Sequence, residues 1–338
     1  MIRLAVIGLG RWGPNHIRNF GGLPDAEVVL CVDTQKEALA RLKPVFPTLK
    51  TSSEVKDAFG DPSIQAVVIA TPTSTHYKLA HAALTAGKHV LCEKPLCETS
   101  KEADELTALA EEKKLILMVG HVFLFNAGIV RLKEFVDSGD LGKLYYLSAA
   151  RTNLGPIRSD VNVAMDLASH DISIMNWLLG RAPERVTATG GAYLRPGVED
   201  VSFISLTYPG NVHANIHVSW LDPAKVRRMT IVGSKRMATW DDLQLTSPVA
   251  IYDKGADVDS EYRDYAEFLR VKMWDGDVRL PKISVEEPLR LQSQGFLKAI
   301  REGKPDRCGG VFAGEVIKVL EAVNASMKAG GSSVAVAP

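Results

Sequence analysis

The chain has 338 residues, 46% of them hydrophobic and 24% charged, which suggests about two ordinary globular domains. Lys plus Arg equal Asp plus Glu at 40 each, so no global field draws it to nucleic acid or an anionic membrane, and any anion site must be local. Cys31, Cys92, Cys97 and Cys308 form no CxxC pair and no zinc spacing, and no apolar run approaches the ~20 residues of a membrane span. Free thiols, no metal and a cytoplasmic protein without a secretory leader are therefore expected.

In chain order, short apolar runs at 2–8, 27–33, 65–71, 88–93 and 115–120 alternate with stretches of helical period such as 74–87. Continuous apolar strands between helices predict a parallel sheet covered on both faces, an α/β doubly wound domain over 1–120. From 121 to 338 the texture changes. A helix at 126–138, a strand at 143–153 and a helix through "MDLASHDISIMNWLLG" precede alternating strands between 184 and about 251, and helices at 286–301 and 311–328 close the chain. This pattern predicts an α+β domain with an open, largely antiparallel sheet that binds substrate and mediates oligomerisation. Its helices are too few to cover both sheet faces, so a homodimer or homotetramer is expected to bury the second.

Three motifs carry chemistry. "AVIGLGRWG" places Gly8, Gly10 and Gly13 after a strand and at the start of a helix, and Asp33 ends the second strand 20 residues on, the Rossmann dinucleotide fingerprint. Gly8 permits the turn, Gly10 a close approach of pyrophosphate, and Gly13 tight helix–strand packing, while helix N–H groups face the phosphates. Asp33 would accept the adenosine ribose hydroxyls and repel a 2′-phosphate, favouring NAD over NADP; it also reads as a strand-ending turn residue. In "VLCEKPLCETS" a strand ends at the ligand-binding edge, aiming Lys94 at the cofactor, where it would stabilise a substrate alkoxide; alone, the same tripeptide reads as a surface turn. In "MDLASHDISI" Asp166 and His170 lie four apart on one helix face, with His170 suited to exchange a proton with an alcohol or ketone; alone, the pair reads as an exposed helix pair. Asp171 points about a quarter turn away.

With "ATPTSTHYKLAHAALTAGKHVLCEKPL" and "DLGKLYY", these motifs resemble the Gfo/Idh/MocA oxidoreductase family over nearly the whole chain. The resemblance implies an N-terminal Rossmann domain, an α/β second domain whose open sheet often forms the oligomer contact, and an active site of Lys94, Asp166 and His170. The cofactor-side set comprises Gly8, Gly10, Arg11, Trp12, Gly13, Asp33, Thr71, His76, Glu93 and Lys94; for His76 a cofactor contact and a helix start are equally open. "GHVFLFN" and "RTNLGPIRSDVNVAMDLASHDISI" are similar to members acting on nucleotide-linked sugars. Leu124 and Ala127 stand where many relatives have Arg and Pro, and Val161 and Asn162 where they have Gly-Gly.

The expected function is NAD-dependent hydride transfer to or from a ring carbon, C3, of a sugar such as a UDP-N-acetylhexosamine. Arg151, Asn153, Arg158, Asp160 and Asn162, with Lys94 and His170, would hold the substrate, the arginines meeting its phosphates; the competing reading pairs both arginines with Asp160 or Asp166. The alternatives are a dehydrogenase of a free sugar or inositol, an NAD-dependent glycosidase, and a dinucleotide-sensing regulator, against which the Lys94, Asp166 and His170 set argues. His213 and His217 share a strand face that suits a subunit interface better than a metal, and "KVRR" at 225–228 reads as strand-edge charge.

Overall fold

Strand β1 (Ile2–Ile7) runs directly into the glycine loop, and Leu4, Ala5 and Val6 on it are fully buried. The computed structural model describes residues 1–258, 271–284, 286–305 and 307–337. After β1 come α1 (Gly13–Gly21), β2 (Ala26–Val32), α2 (Lys36–Leu42), β3 (Lys50–Ser52), α3 (Lys56–Phe59), β4 (Ala66–Ile69), α4 (Thr73–Thr85), β5 (His89–Cys92), α5 (Ser100–Glu112) and β6 (Leu117–Val119). The six strands are parallel in the order β3-β2-β1-β4-β5-β6. The order reverses between β1 and β4, which places the ligand crevice of such a sheet beside the glycine loop. Strand β3 is Lys-Thr-Ser and carries no apolar run, so no hydrophobic pattern announced it. A capping box of Thr99 and Glu102 starts α5.

The chain continues through α6 (Ala127–Asp137), β7 (Leu144–Leu154), a π-helical turn at Ala164–Ala168, α7 (Ser169–Leu179), β8 (Arg185–Gly191), β9 (Val201–Tyr208), β10 (Val212–Ser219), β11 (Leu221–Gly233), β12 (Met237–Asp241), β13 (Val249–Val258) and β14 (Val271–Arg279). The sheet order is β14-β13-β12-β11-β7-β10-β9-β8-β15, the last being Val334–Ala335 near the chain end. Only β7 and β10 pair in parallel among these neighbours. Leu147, Ala149, Ile204, Leu206, Ile216, Met229 and Ile231 are buried on one face, whereas Tyr146 and Phe203, 44% and 55% exposed, lie on the other.

Helices α8 (Pro288–Glu302) and α9 (Gly310–Lys328) follow. They revise the expected division. The compact units are Met1–Phe125 with Glu286–Glu321, and Asn126–Val285 with Ala322–Pro338. The first break falls close to the expected residue 120, but α8 and most of α9 belong to the N-terminal unit. The reason is apolar packing: Phe296 of α8 meets Phe20 of α1 edge-on at 6.4 Å, and Ala313 and Ile317 of α9 complete the core of the parallel sheet. Among the described residues, no helix is long and apolar enough to cross a membrane, and all four cysteines are buried free thiols.

Candidate active site

The glycine loop is built by backbone crowding. Gly8 has φ +94°, and a Cβ there would lie 2.5 Å from the Ala70 carbonyl oxygen. A Cβ on Gly13 would fall 2.1 Å from the Gly8 carbonyl oxygen, whereas one on Gly10 would meet nothing within 4 Å. Two glycines thus let the loop close on β4 and α1, and the third leaves a bare backbone facing open space, as a pyrophosphate requires. Pro14 in the first turn of α1 fits a helix start. Arg11 and Trp12 are exposed on this loop. The Asp33 carboxylate accepts from the Leu9 amide at 2.7 Å and the Gln35 amide at 2.8 Å, so it is fixed against the loop with lone pairs to spare. The glycine cradle and the anchored carboxylate fit a dinucleotide.

At the ends of β4 and β5 the side chains are joined by hydrogen bonds that the sequence did not announce. His76 is 1% exposed; Nδ1 lies 2.8 Å from the Pro95 carbonyl and Nε2 2.8 Å from the Thr71 carbonyl. It therefore ties the turn after β4 to the turn bearing Lys94. Thr71 accepts from the Thr75 hydroxyl at 2.7 Å. Glu93 likewise turns into the protein, because a buried carboxylate needs hydrogen-bond partners: His16 Nε2 donates to it at 2.8 Å and the Lys94 amide at 3.3 Å. Burial pushes the Glu93 carboxyl up, but the His16 hydrogen bond and charge, with Lys94, outweigh it and keep the group below its usual range. His121, 2% exposed behind the same turn, is lowered to about 4 by burial and by the Lys94 charge. His16 and His121 were not singled out from sequence; "PNHIRN" and "VGHVFL" read as helix and strand-end text, and only the fold brings them beside Glu93.

In the second unit, Asp166 sits in the π turn and His170 in the first turn of α7. A π turn replaces the expected regular helix at Asp166, a local widening common at functional sites. The Asp166 carboxylate accepts from Arg158 Nη1 at 3.2 Å and from Trp220 Nε1 at 3.2 Å. Arg158 also grips Asp160 through Nε at 2.9 Å and Nη2 at 2.5 Å, with its side chain 29% exposed. Those bonds use three of its five N–H groups. Arg151 is 2% exposed and forms a two-pronged pair with Asp171, at 2.8 and 3.0 Å. Asp171 is a partner that neither sequence reading named, and the pair fastens β7 to α7. Asn153 bonds the Gly155 carbonyl. Asn162 donates to Glu199 and Asn324, each at 2.9 Å, and accepts from the Met165 amide at 3.0 Å, so it shapes the entry to the π turn. No group of three or more metal-ligating side chains occurs among the described residues.

Parallel-sheet fingerprint, anchored acidic residue and a lysine at the strand edge define a dinucleotide-dependent oxidoreductase. Residues 2–121 match the family model described as GFO/IDH/MocA, "Oxidoreductase family, NAD-binding Rossmann fold", residues 129–239 match the GFO/IDH/MocA C-terminal domain, and the chain belongs to this family. Among its relatives is the UDP-N-acetylglucosamine 3-dehydrogenase of Acidithiobacillus ferrooxidans, 29% identical over 334 residues, 97% of this chain and 98% of that protein. A solved structure of that enzyme superposes with a TM-score of 0.81 at 28% identity, covering 97% of this chain and 98% of the other. The myo-inositol 2-dehydrogenase of Thermotoga maritima is 27% identical over 272 residues, 77% of this chain and 81% of that protein. The structure of GenD2 from gentamicin A biosynthesis in complex with NAD has the same fold, with a TM-score of 0.83 at 24% identity, covering 100% of this chain and 97% of that one.

Proposed function

We propose that this oxidoreductase transfers hydride between NAD and ring carbon 3 of a nucleotide-linked sugar, with a UDP-N-acetylhexosamine as the substrate class. The observation that carries this reading is the end-to-end likeness to the Acidithiobacillus ferrooxidans enzyme, spanning 97% of this chain. Arg158 supports it: the guanidinium keeps two N–H groups beyond its bonds to Asp160 and Asp166, a fork suited to a phosphate oxygen. Arg151, buried against Asp171, holds β7 to α7 beside the site. When bound, NAD supplies the hydride acceptor. His170 takes the hydroxyl proton, Asp166 orients the imidazole and stabilises its charge, and Lys94 donates to the developing oxyanion.

NAD rather than NADP follows from Asp33, whose fixed carboxylate accepts ribose hydroxyls and repels a 2′-phosphate. Calorimetry should show NAD binding at least about tenfold tighter, or about 1.4 kcal/mol; equal affinities would remove this role from Asp33. For the substrate, thermal-shift titration with NAD present separates the readings. UDP-N-acetylglucosamine should stabilise the protein at concentrations where N-acetylglucosamine does not, and Arg158→Ala should abolish the difference. The second reading, a free cyclic polyol, is favoured by the likeness to the myo-inositol enzyme; equal stabilisation by myo-inositol would select it. Release of aglycone without net change in reduced-nicotinamide absorbance would select a glycosidase instead.

A further inference from the structure

The bond between His16 and Glu93 joins two parts of the N-terminal unit that serve different ends of the proposed chemistry. His16 lies in α1, one turn beyond Gly13 and the glycine loop, and its amide closes that turn on the Trp12 carbonyl at 3.1 Å. Glu93 directly precedes Lys94 at the end of β5. The pair is 2.8 Å apart, with side chains 1% and 12% exposed. An ionised carboxylate only accepts, so His16 donates from Nε2; among the described residues His16 Nδ1 is buried without a hydrogen-bond partner, and the Glu93 bond is the imidazole's single polar anchor. The far oxygen of Glu93 accepts the Lys94 amide at 3.3 Å and occupies the space over Gly120, where a Cβ would come within 3.0 Å of it. The carboxylate is therefore clamped between a helix that starts at the phosphate loop and the backbone of the lysine. Elements facing it bring His16, Lys94 and His121, and the last is neutral near pH 7 and does not compete for it.

We propose that His16 is a positioning residue that transmits occupancy of the glycine loop, through Glu93, to the backbone of Lys94. This rests on the proposed role of Lys94. An anion held by the loop and the first turn of α1 narrows the fluctuations of that helix end. His16 lies on the next turn, and its bond passes the restraint to Glu93 and so to the Lys94 amide that Glu93 accepts. The cofactor would then order the lysine before any contact with the nicotinamide. A purely structural His16 would hold α1 to the sheet equally well with the loop empty or filled.

The test is amide hydrogen exchange of the full chain with ADP, which carries adenosine and the diphosphate but lacks the nicotinamide riboside half. In the wild-type protein ADP should slow exchange in the Gly8–Gly13 loop and slow the Lys94 amide by at least about fivefold. His16→Gln keeps a donor and should retain both effects. His16→Phe, which keeps a ring against Phe20, its stacked neighbour at 6.4 Å, should keep loop protection while Lys94 changes by less than about 1.5-fold. His16→Leu serves as a second variant should His16→Phe not fold. Equal slowing at Lys94 in the wild type and in His16→Phe or His16→Leu, or loop protection without any slowing at Lys94 in the wild type, would overturn the coupling. Turnover of Lys94→Ala with NAD and UDP-N-acetylglucosamine tests the underlying reading separately: undiminished turnover overturns the role of Lys94, whatever the exchange pattern.

Discussion

Lys94 follows β5 by two positions, and the amide of its neighbour Glu93 still donates to Ile69 of β4 at 2.8 Å. The lysine thus begins from a rigid strand edge, where a group that must meet a developing charge is best placed. His170 occupies the first turn of α7, behind an Asp166 whose carboxylate is held by both Arg158 and Trp220. Under the proposed mechanism these two side chains matter in the transition state rather than in cofactor binding. Lys94→Ala and His170→Ala should each lower kcat by about 10² or more while the Kd for NAD shifts by less than about threefold, measured by steady-state kinetics and calorimetry. A variant with near-normal turnover on its proper substrate would remove that residue from the mechanism.

At the scale of elements, most of the site's framework was readable and most of its wiring was not. The three glycines and Asp33 announced the loop because each answers a backbone demand local in sequence. The junction of β6 with α9 is the opposite case. His121 follows β6 by two positions, lies edge-on to Phe312 of α9 at 5.8 Å and has Nδ1 buried without a hydrogen-bond partner among the described residues. Burial first, then the Lys94 charge, lowers its pKa to about 4. The folded state therefore binds fewer protons than the unfolded one, whose imidazole titrates near 6.5. Stability from this group is complete above about pH 6.5 and is lost as the pH falls toward 4. Between pH 7 and pH 5, urea unfolding should show the wild-type protein losing about 2 kcal/mol more than His121→Gln. Equal losses would mean that His121 is not held neutral.

For the whole molecule, the open sheet poses the question of assembly. Phe203 stacks on His217 at 4.6 Å, and Phe203 and Tyr146 are 55% and 44% exposed on the same sheet. Helices α6 and α7 carry the buried side chains Ile129, Leu132, Ile172 and Met175. A broad sheet face with exposed aromatics is a surface that a second copy would cover, and we propose that the protein is a homodimer or homotetramer built on it. Light scattering at micromolar concentration should give at least twice the mass of one chain, and Phe203→Glu should dissociate it. A wild-type monomer would refute this.

Sequence by itself determined the doubly wound first domain, the glycine loop, the strand-edge position of Lys94 and the alternating strands between 185 and 241, since each rests on periodicity or on a backbone demand between near neighbours. Side-chain partnerships belong to tertiary structure. Arg151 and Asp171 lie 20 residues apart yet meet at 2.8 Å in the interior, a pairing that no local pattern announces. His16 and Glu93, 77 residues apart, become neighbours only through the fold. Strands β3 and β15, and the membership of α8 and most of α9 in the N-terminal unit, also lay beyond the pattern, because short strands and returning helices are selected by the surfaces already formed rather than by their own residues.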